Sequence, residues 1–167
     1  SMNNQNHFFT LRSRNAYDAG GDVSSWWDAY NGEWRIMVEN PDNNVDYKLS
    51  VCFGGTGHGT VDYVLPIGEW FHVAIATNAS RNTNVYINGT KRFSSSSGAG
   101  YNTGSAYDFR AYIGGGTVMG LNGFNGTIDD IQVWHKQLSE SEVKTAMNGF
   151  PEGTTISTDL KGYWDLE

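Results

Sequence analysis

The sequence has little cysteine, few basic residues, no long apolar run and none of the common catalytic signatures. Cys52 is its single cysteine, so an internal disulfide is ruled out. The residue sits in an apolar strand pattern and reads as a small core or sheet-face side chain. Lys and Arg total 11 against 18 Asp and Glu, a net charge of -7. Nucleic acid demands clustered cations to neutralise its phosphates, and anionic membranes make a similar demand, so neither is an expected partner. No stretch of about 18 to 20 uncharged apolar residues is present, which excludes a membrane-spanning helix and membrane insertion. Ser1-Met2 reads as a cloning remnant, and no signal-peptide pattern is read after it, so targeting information is expected to lie outside this stretch.

The catalytic absences are equally informative. His7, His58, His72 and His135 show no metal spacing such as H-E-x-x-H, and no serine stands in G-x-S-x-G. The run "GGTGHG" at 54–59 lacks the Lys-Ser/Thr and the following helix of a phosphate cradle, and reads as a strand-connecting turn. Asp129 and Asp130 are adjacent in an apparent strand, where side chains alternate. They are therefore not expected to share a cleft, whereas a glycosidase sets two carboxyls about 5 to 9.5 Å apart on one substrate.

What is present fits an all-β protein. The chain has 21 Gly, 14% aromatics and 17% charged residues over 167 positions, a size for one domain with its own core (1–167). Period-two patterns run over Phe8 to Arg12, Glu33 to Glu39, Tyr47 to Phe53, Glu69 to Thr77, Asn84 to Asn88, Ala111 to Ile113 and Thr127 to Trp134. In the third, Tyr47, Leu49, Val51 and Phe53 share one face, read as core, and Lys48, Ser50 and Cys52 the other, read as wetter. Asn88-Gly89 tolerates positive φ and predicts a tight type I′ turn into Lys91 to Phe93. The one helix expected is "LSESEVKTAMNG": Ser139 and Glu142 form a capping box, Leu138 staples onto Val143, and Gly149 and Pro151 stop it. Asn78-Ala79-Ser80, Asn88-Gly89-Thr90 and Asn125-Gly126-Thr127 match the glycosylation sequon but are read as turn chemistry.

Two stretches together carry a family resemblance. "EWFHVAIATNASRNTNVYINGTKRF" is similar to the W-x-H-V-A and Y-hydrophobic-N/D-G signature of laminin-G-like, concanavalin A-like domains. "FNGTIDDIQVWHKQLSESEV" resembles that family's ending, G-x-I-D-[DE]-[IV] followed by a strand and a short L-S-x-x-E helix. The resemblance implies a two-sheet antiparallel jelly-roll sandwich with one short C-terminal helix, typical of non-catalytic modules attached to secreted bacterial glycosidases and adhesins. Asp129 matches the Asp that in many members ligates a structural calcium with loop carbonyls and an acid of the opening segment. The alternative is that Asp129 hydrogen-bonds neighbouring backbone amides. The family's opening strand is absent here, and "LKGYWDLE" at 160–167 carries its pattern instead. That tail either completes the sandwich, the favoured reading, or begins a next module. The Glu-x-Asp-x-Glu triplet of concanavalin A-like glycanases is broken: the nearest match, Asp165-Leu166-Glu167, is preceded by Tyr163 in place of a glutamate.

Six tryptophans are the remaining clue. Aromatic rings stack on the C–H faces of sugars while flanking polar groups bond the hydroxyls. Trp26, Trp27, Asp28, Tyr30 and Asn31 cluster in the aperiodic segment between Arg14 and Asn31; Tyr101, Tyr107 and Arg110 belong to the second long loop, from Ser94 to Asp108, and its exit. These are the expected ligand-binding residues. Trp70, Trp134 and Trp164 lie in regular strand patterns and are read as structural. The expected function is a non-catalytic carbohydrate-binding or adhesion module of a larger secreted or cell-surface protein, with glycan and neighbouring domains as partners. The alternatives are an architectural interdomain module without a ligand and, less favoured, a glycan-cleaving enzyme.

Overall fold

The computed structural model describes residues 5–13, 34–39, 46–53, 57–80, 82–96, 109–114, 124–150 and 157–166. The chain divides into two units, one drawn from 1–65 and 97–125, the other from 66–96 and 126–167.

The first unit is a five-stranded antiparallel sheet. Its strands are β1 (Gln5–Ser13), β2 (Trp34–Glu39), β3 (Lys48–Phe53), β4 (Gly57–Val64) and, after the second unit's hairpins, β8 (Phe109–Ile113), in the order β4-β3-β2-β1-β8. Leu49, Val51 and Val61 are wholly buried, with Met37, Val38 and Leu65 nearly so. Ser50 is also wholly buried, so the face of β3 expected to be wetter is dry at its centre. The reason is position: β3 lies between β2 and β4, and Ser50 pairs with the buried Met37. The "GGTGHG" stretch is not all turn either. Gly57 pairs with Phe53 and Gly59 with Val51, because a ladder is made by backbone groups and accepts glycine without asking for a side chain. At the sheet's other end the Gly114 N–H donates to the Phe8 carbonyl, and Phe124 packs on Phe8 with the rings tilted by 59° and their centroids 5.7 Å apart.

The second unit contains the hairpins β5 (Val73–Thr77), β6 (Thr83–Ile87) and β7 (Thr90–Ser95), the strands β9 (Ile131–Trp134) and β10 (Leu160–Trp164), and the helix α1 (Glu140–Ala146). Asn88 (φ 50°) and Gly89 (φ 71°) both take positive φ, as the predicted tight turn requires. Asn78 serves as turn chemistry too, its Oδ1 accepting from the Asn82 N–H. Thr83, Val85 and Ile87 are buried on one face of β6 and Tyr86 on the other, opposite Ala74. Ala76, Tyr86, Leu138, Val143 and Ala146 form one cluster, with Ala74 and Trp134 packed against it. The alanines of β5 leave room for the helix to lie close to the sheet.

The helix starts where the capping box predicts. Ser139 Oγ accepts from the Glu142 N–H, and the Glu142 carboxylate accepts from the Ser139 N–H at 2.9 Å. Leu138 and Val143 are buried together as the staple requires, and Gly149 ends the segment with φ 72°. No helix among the described residues is long and apolar enough to cross a membrane.

Candidate functional site

Most of the expected binding loops fall outside the described residues: Trp26, Trp27, Asp28, Tyr30, Asn31, Tyr101 and Tyr107. Arg110 lies in β8 opposite Arg12 of β1, and its side chain too is outside the described set. Of the expected site residues, Asp129 is the one whose side-chain surroundings are described.

Asp129 and Asp130 do not lie in a strand. The ladder begins at Ile131, and Asp130 takes a left-handed φ of 52°. Side-chain alternation therefore does not govern the pair, and the expectation that they diverge for that reason is corrected. Both carboxylates instead engage the terminal segment. Asp129 Oδ1 accepts from the Leu166 N–H at 3.0 Å and from the Asp130 N–H at 2.8 Å, and Asp130 Oδ1 accepts from the Tyr163 hydroxyl. The two amides, Leu166 first and Asp130 second, hold the Asp129 carboxyl below the usual carboxylate range. Tyr163 is pushed up to about 12, first by its bond to Asp130, then by burial and by the charges of Asp130, Asp165 and Asp129. Asp and Asn are the non-glycine residues that best tolerate left-handed backbone, so an acid at 130 permits both the bend and the bond.

This acid pair acts as a clasp on the terminal segment, Asp130 holding Tyr163 of β10 and Asp129 holding Leu166 just beyond the strand. The strand itself pairs antiparallel with β9, Trp164 opposite Ile131 and Tyr163 opposite Gln132, with a bulge between Leu160 and Gly162. Phe150 bridges the two strands, edge-on to Tyr163 at 5.5 Å and tilted on Trp134 at 6.1 Å. Trp134 Nε1 donates to Gln132 Oε1, and Gln132 Nε2 donates to the Ala146 carbonyl, tying β9 to the helix.

Between the β5 and β9 strands and the helix, a recess of about 480 Å³ including its open mouth is lined by His72, Ala74, Ala76, Trp134, Val143 and Ala146, among others. His72 Nδ1 is buried there with no hydrogen-bond partner among the described residues. Burial lowers the His72 pKa, and the charge of Asp130 opposes that shift.

The sheets, the helix and the Asp129-Asp130 turn meet the family pattern in sequence order. The profile of the family described as "Concanavalin A-like lectin/glucanases superfamily" matches residues 3–144. The chain belongs to the concanavalin A-like superfamily. Its antiparallel strands and terminal helix accord with the jelly roll of that superfamily. Among solved structures it is similar to a candidate carbohydrate binding protein from Bacteroides ovatus, with a TM-score of 0.60 and 19% identity over 97% of this chain. It is also similar to a heptameric SAP-like pentraxin from Limulus polyphemus, with a TM-score of 0.58 and 16% identity over 85% of this chain. This chain spans 51% and 62% of those two proteins respectively. At such identities the likeness concerns the fold. No curated protein matches the chain.

Membership of the concanavalin A-like superfamily makes the calcium expectation at Asp129 testable on geometry. A hard cation takes six to eight oxygens, commonly from several carboxylates and carbonyls. Among the described residues no group of three His, Cys, Asp or Glu side chains is placed to hold a metal. Asp129 Oδ1 is already met by two N–H donors, the other arrangement the sequence allowed. The described residues thus fit a backbone clasp and do not by themselves fit a calcium cage.

The tryptophans read as structural divide three ways. Trp134 is half-buried in the contacts just given. Trp164 is half-exposed, its ring lying over Gly162. Trp70 is 69% exposed and precedes β5, which begins at Val73. Sequence pattern assigned Trp70 to a strand because Glu69 to Thr77 alternates. The ladder there starts four residues later, since the chain from Ile67 to Phe71 is bent through Gly68 at φ 78°.

Proposed function

We propose that this domain is a non-catalytic carbohydrate-binding module of a larger secreted or cell-surface bacterial protein. The observation that carries the non-catalytic half is the occupation of the acid pair. Asp129 and Asp130 each spend an oxygen on the terminal segment, at Leu166 and Tyr163, whereas a glycosidase keeps its two carboxyls free to meet the sugar. Membership of the lectin/glucanase superfamily supports the carbohydrate half, together with a fold shared with a candidate carbohydrate binding protein. Trp26, Trp27, Asp28, Tyr30, Asn31, Tyr101, Tyr107 and Arg110 are the proposed ligand-binding residues, on sequence grounds. Binding through aromatic stacking and hydroxyl contacts of this kind is expected to be weak, since polar groups that stay partly hydrated return little affinity. A glycan array probed with the wild type and with Trp26→Ala and Trp27→Ala tests this. Signal lost in the variants supports the loops, and release of reducing ends from a polysaccharide overturns the non-catalytic reading.

The clasp also supports reading 160–167 as the strand that completes this domain, in the slot the family fills with its opening strand. A second function, an architectural module between neighbouring domains, is favoured by the apolar side chains left half-exposed at Val133, Trp164 and Leu166. A structural calcium would need oxygens beyond Asp129, from loop acids such as Asp18, Asp22 and Asp28. A melting temperature raised by Ca2+ and lowered by EDTA supports it, and one indifferent to both removes calcium from the account.

A further inference from the structure

Trp70, 69% exposed, is the barest of the tryptophans whose side chains are described. Trp134 donates to Gln132 and meets Phe150, and Trp164 covers Gly162, but Trp70 makes no hydrogen bond or ring contact among the described residues. Three residues earlier Ile67 is 71% exposed, and Glu69, also exposed, forms no ion pair among the described residues.

An exposed tryptophan on a floppy segment would mean little. This one is fixed. The Asn88 side chain accepts from the His72 N–H at 2.8 Å, and the Asn88 N–H donates to the His72 carbonyl at 2.9 Å. The tip of the β6–β7 turn thereby pins the chain two residues after Trp70. The bend at Gly68 needs the positive φ that glycine supplies, and a Cβ there would meet open space. Anchoring of this kind lowers the ordering cost of binding.

Magnitude decides what such a patch can hold. Large aromatic side chains bury about 150–250 Å², so Trp70 and Ile67 at these exposures offer on the order of 300 Å². A stable protein interface needs about 800 Å² a side. The patch is too small for a protein partner on its own but large enough for a sugar ring, and the exposed Glu69 carboxylate in the adjacent position is a ready acceptor for sugar hydroxyls.

We propose that Trp70 is a sugar-stacking residue outside the two aromatic loops, with Glu69 as its neighbouring hydroxyl acceptor. The inference rests on the carbohydrate-binding reading above and adds a residue that reading does not contain. It is tested with a neutral polysaccharide that the array identifies as bound. Isothermal titration with its oligosaccharide compares wild type, Trp70→Ala, Trp70→Phe and Trp27→Ala. In parallel, the 5-fluorotryptophan-labelled wild type is titrated and its Trp70 resonance, assigned by its loss in Trp70→Phe, is followed by 19F NMR. The expected result is affinity about two- to tenfold weaker in Trp70→Ala, largely kept in Trp70→Phe, and a Trp70 resonance that moves with saturation. If the oligosaccharide binds while the Trp70 resonance stays still and Trp70→Ala binds as wild type, the inference is overturned and the loop site stands. If Trp70→Ala instead changes only the oligomeric state by light scattering, Trp70 is a protein contact and the inference fails. If no polysaccharide binds the wild type, the carbohydrate-binding reading itself falls and takes Trp70 with it.

Discussion

Replacing Val143 by alanine tests how the helix is held. Val143 is wholly buried, facing Ala76, Tyr86, Leu138 and Ala146 from the middle of α1. The change removes two carbons from that face, about 1.6 kcal/mol at about 0.8 kcal/mol each. Any cavity that fails to collapse adds about 24 cal/mol per Å³, and the better helix propensity of alanine returns a few tenths of a kcal/mol. The net loss is about 2 kcal/mol, or a melting temperature lower by about 4–8 °C for a domain of this size. Thr145→Ala, on the exposed side, is the control and should stay within about 0.5 kcal/mol, since its hydroxyl only back-bonds the Ser141 carbonyl. Urea denaturation of both variants at pH 7 provides the comparison. If Val143→Ala cost less than Thr145→Ala, the assignment of the helix's buried face would be wrong.

Other expectations follow from the same contacts. Glu142 is held at about 2, first by its bond to Lys136 and then by Ser139. Its contribution is therefore complete above its ordinary value near 4.5 and lost as pH falls toward 2. Glu142→Gln should flatten that acid limb of the stability curve. His72, lowered by burial, should add a loss that begins as pH drops below 6.5, absent in His72→Gln. Gly162→Ala would set a Cβ 2.7 Å from Trp164 Cζ3 and should weaken the β9–β10 ladder by about 1–3 kcal/mol, read as faster amide exchange at 131–134. Asp129→Ala should speed exchange of the Leu166 amide while leaving the helix amides unchanged; equal protection in the variant would deny the clasp.

The strands visible in the sequence are those whose alternation is made by side chains that face a core. β2 and β3 keep nearly the predicted bounds, and β6 lies within a residue of Asn84 to Asn88. The helix was legible because its cap is local chemistry: four residues determine it. β4 was hidden at its start because Gly57 and Gly59 have no side chains to alternate. Two alternating stretches over-reached, at Glu69 and at Thr127, because the first turns at Gly68 and the second at Asp130, and positive φ at a non-glycine residue leaves no mark on a hydrophobic pattern. The acid pair illustrates the consequence. Read as strand residues the acids had to diverge, yet placed on a bend both reach the terminal segment, at Tyr163 and Leu166. Pairing between β9 and β10 joins segments some 30 residues apart, which no local period reports. The exposure of Trp70 was hidden for a related reason: burial is set by what packs over a residue, and W-x-H-V-A reads the same whether its tryptophan is covered or bare.

The most direct measurement is titration of the purified domain against a panel of neutral and acidic polysaccharides by affinity gel electrophoresis, with reducing-end release assayed in the same mixtures. A carbohydrate-binding module predicts retardation by at least one polysaccharide, relieved by its soluble oligosaccharide, with no reducing ends released. Unretarded migration in every gel, or liberation of reducing ends from any of them, would contradict it.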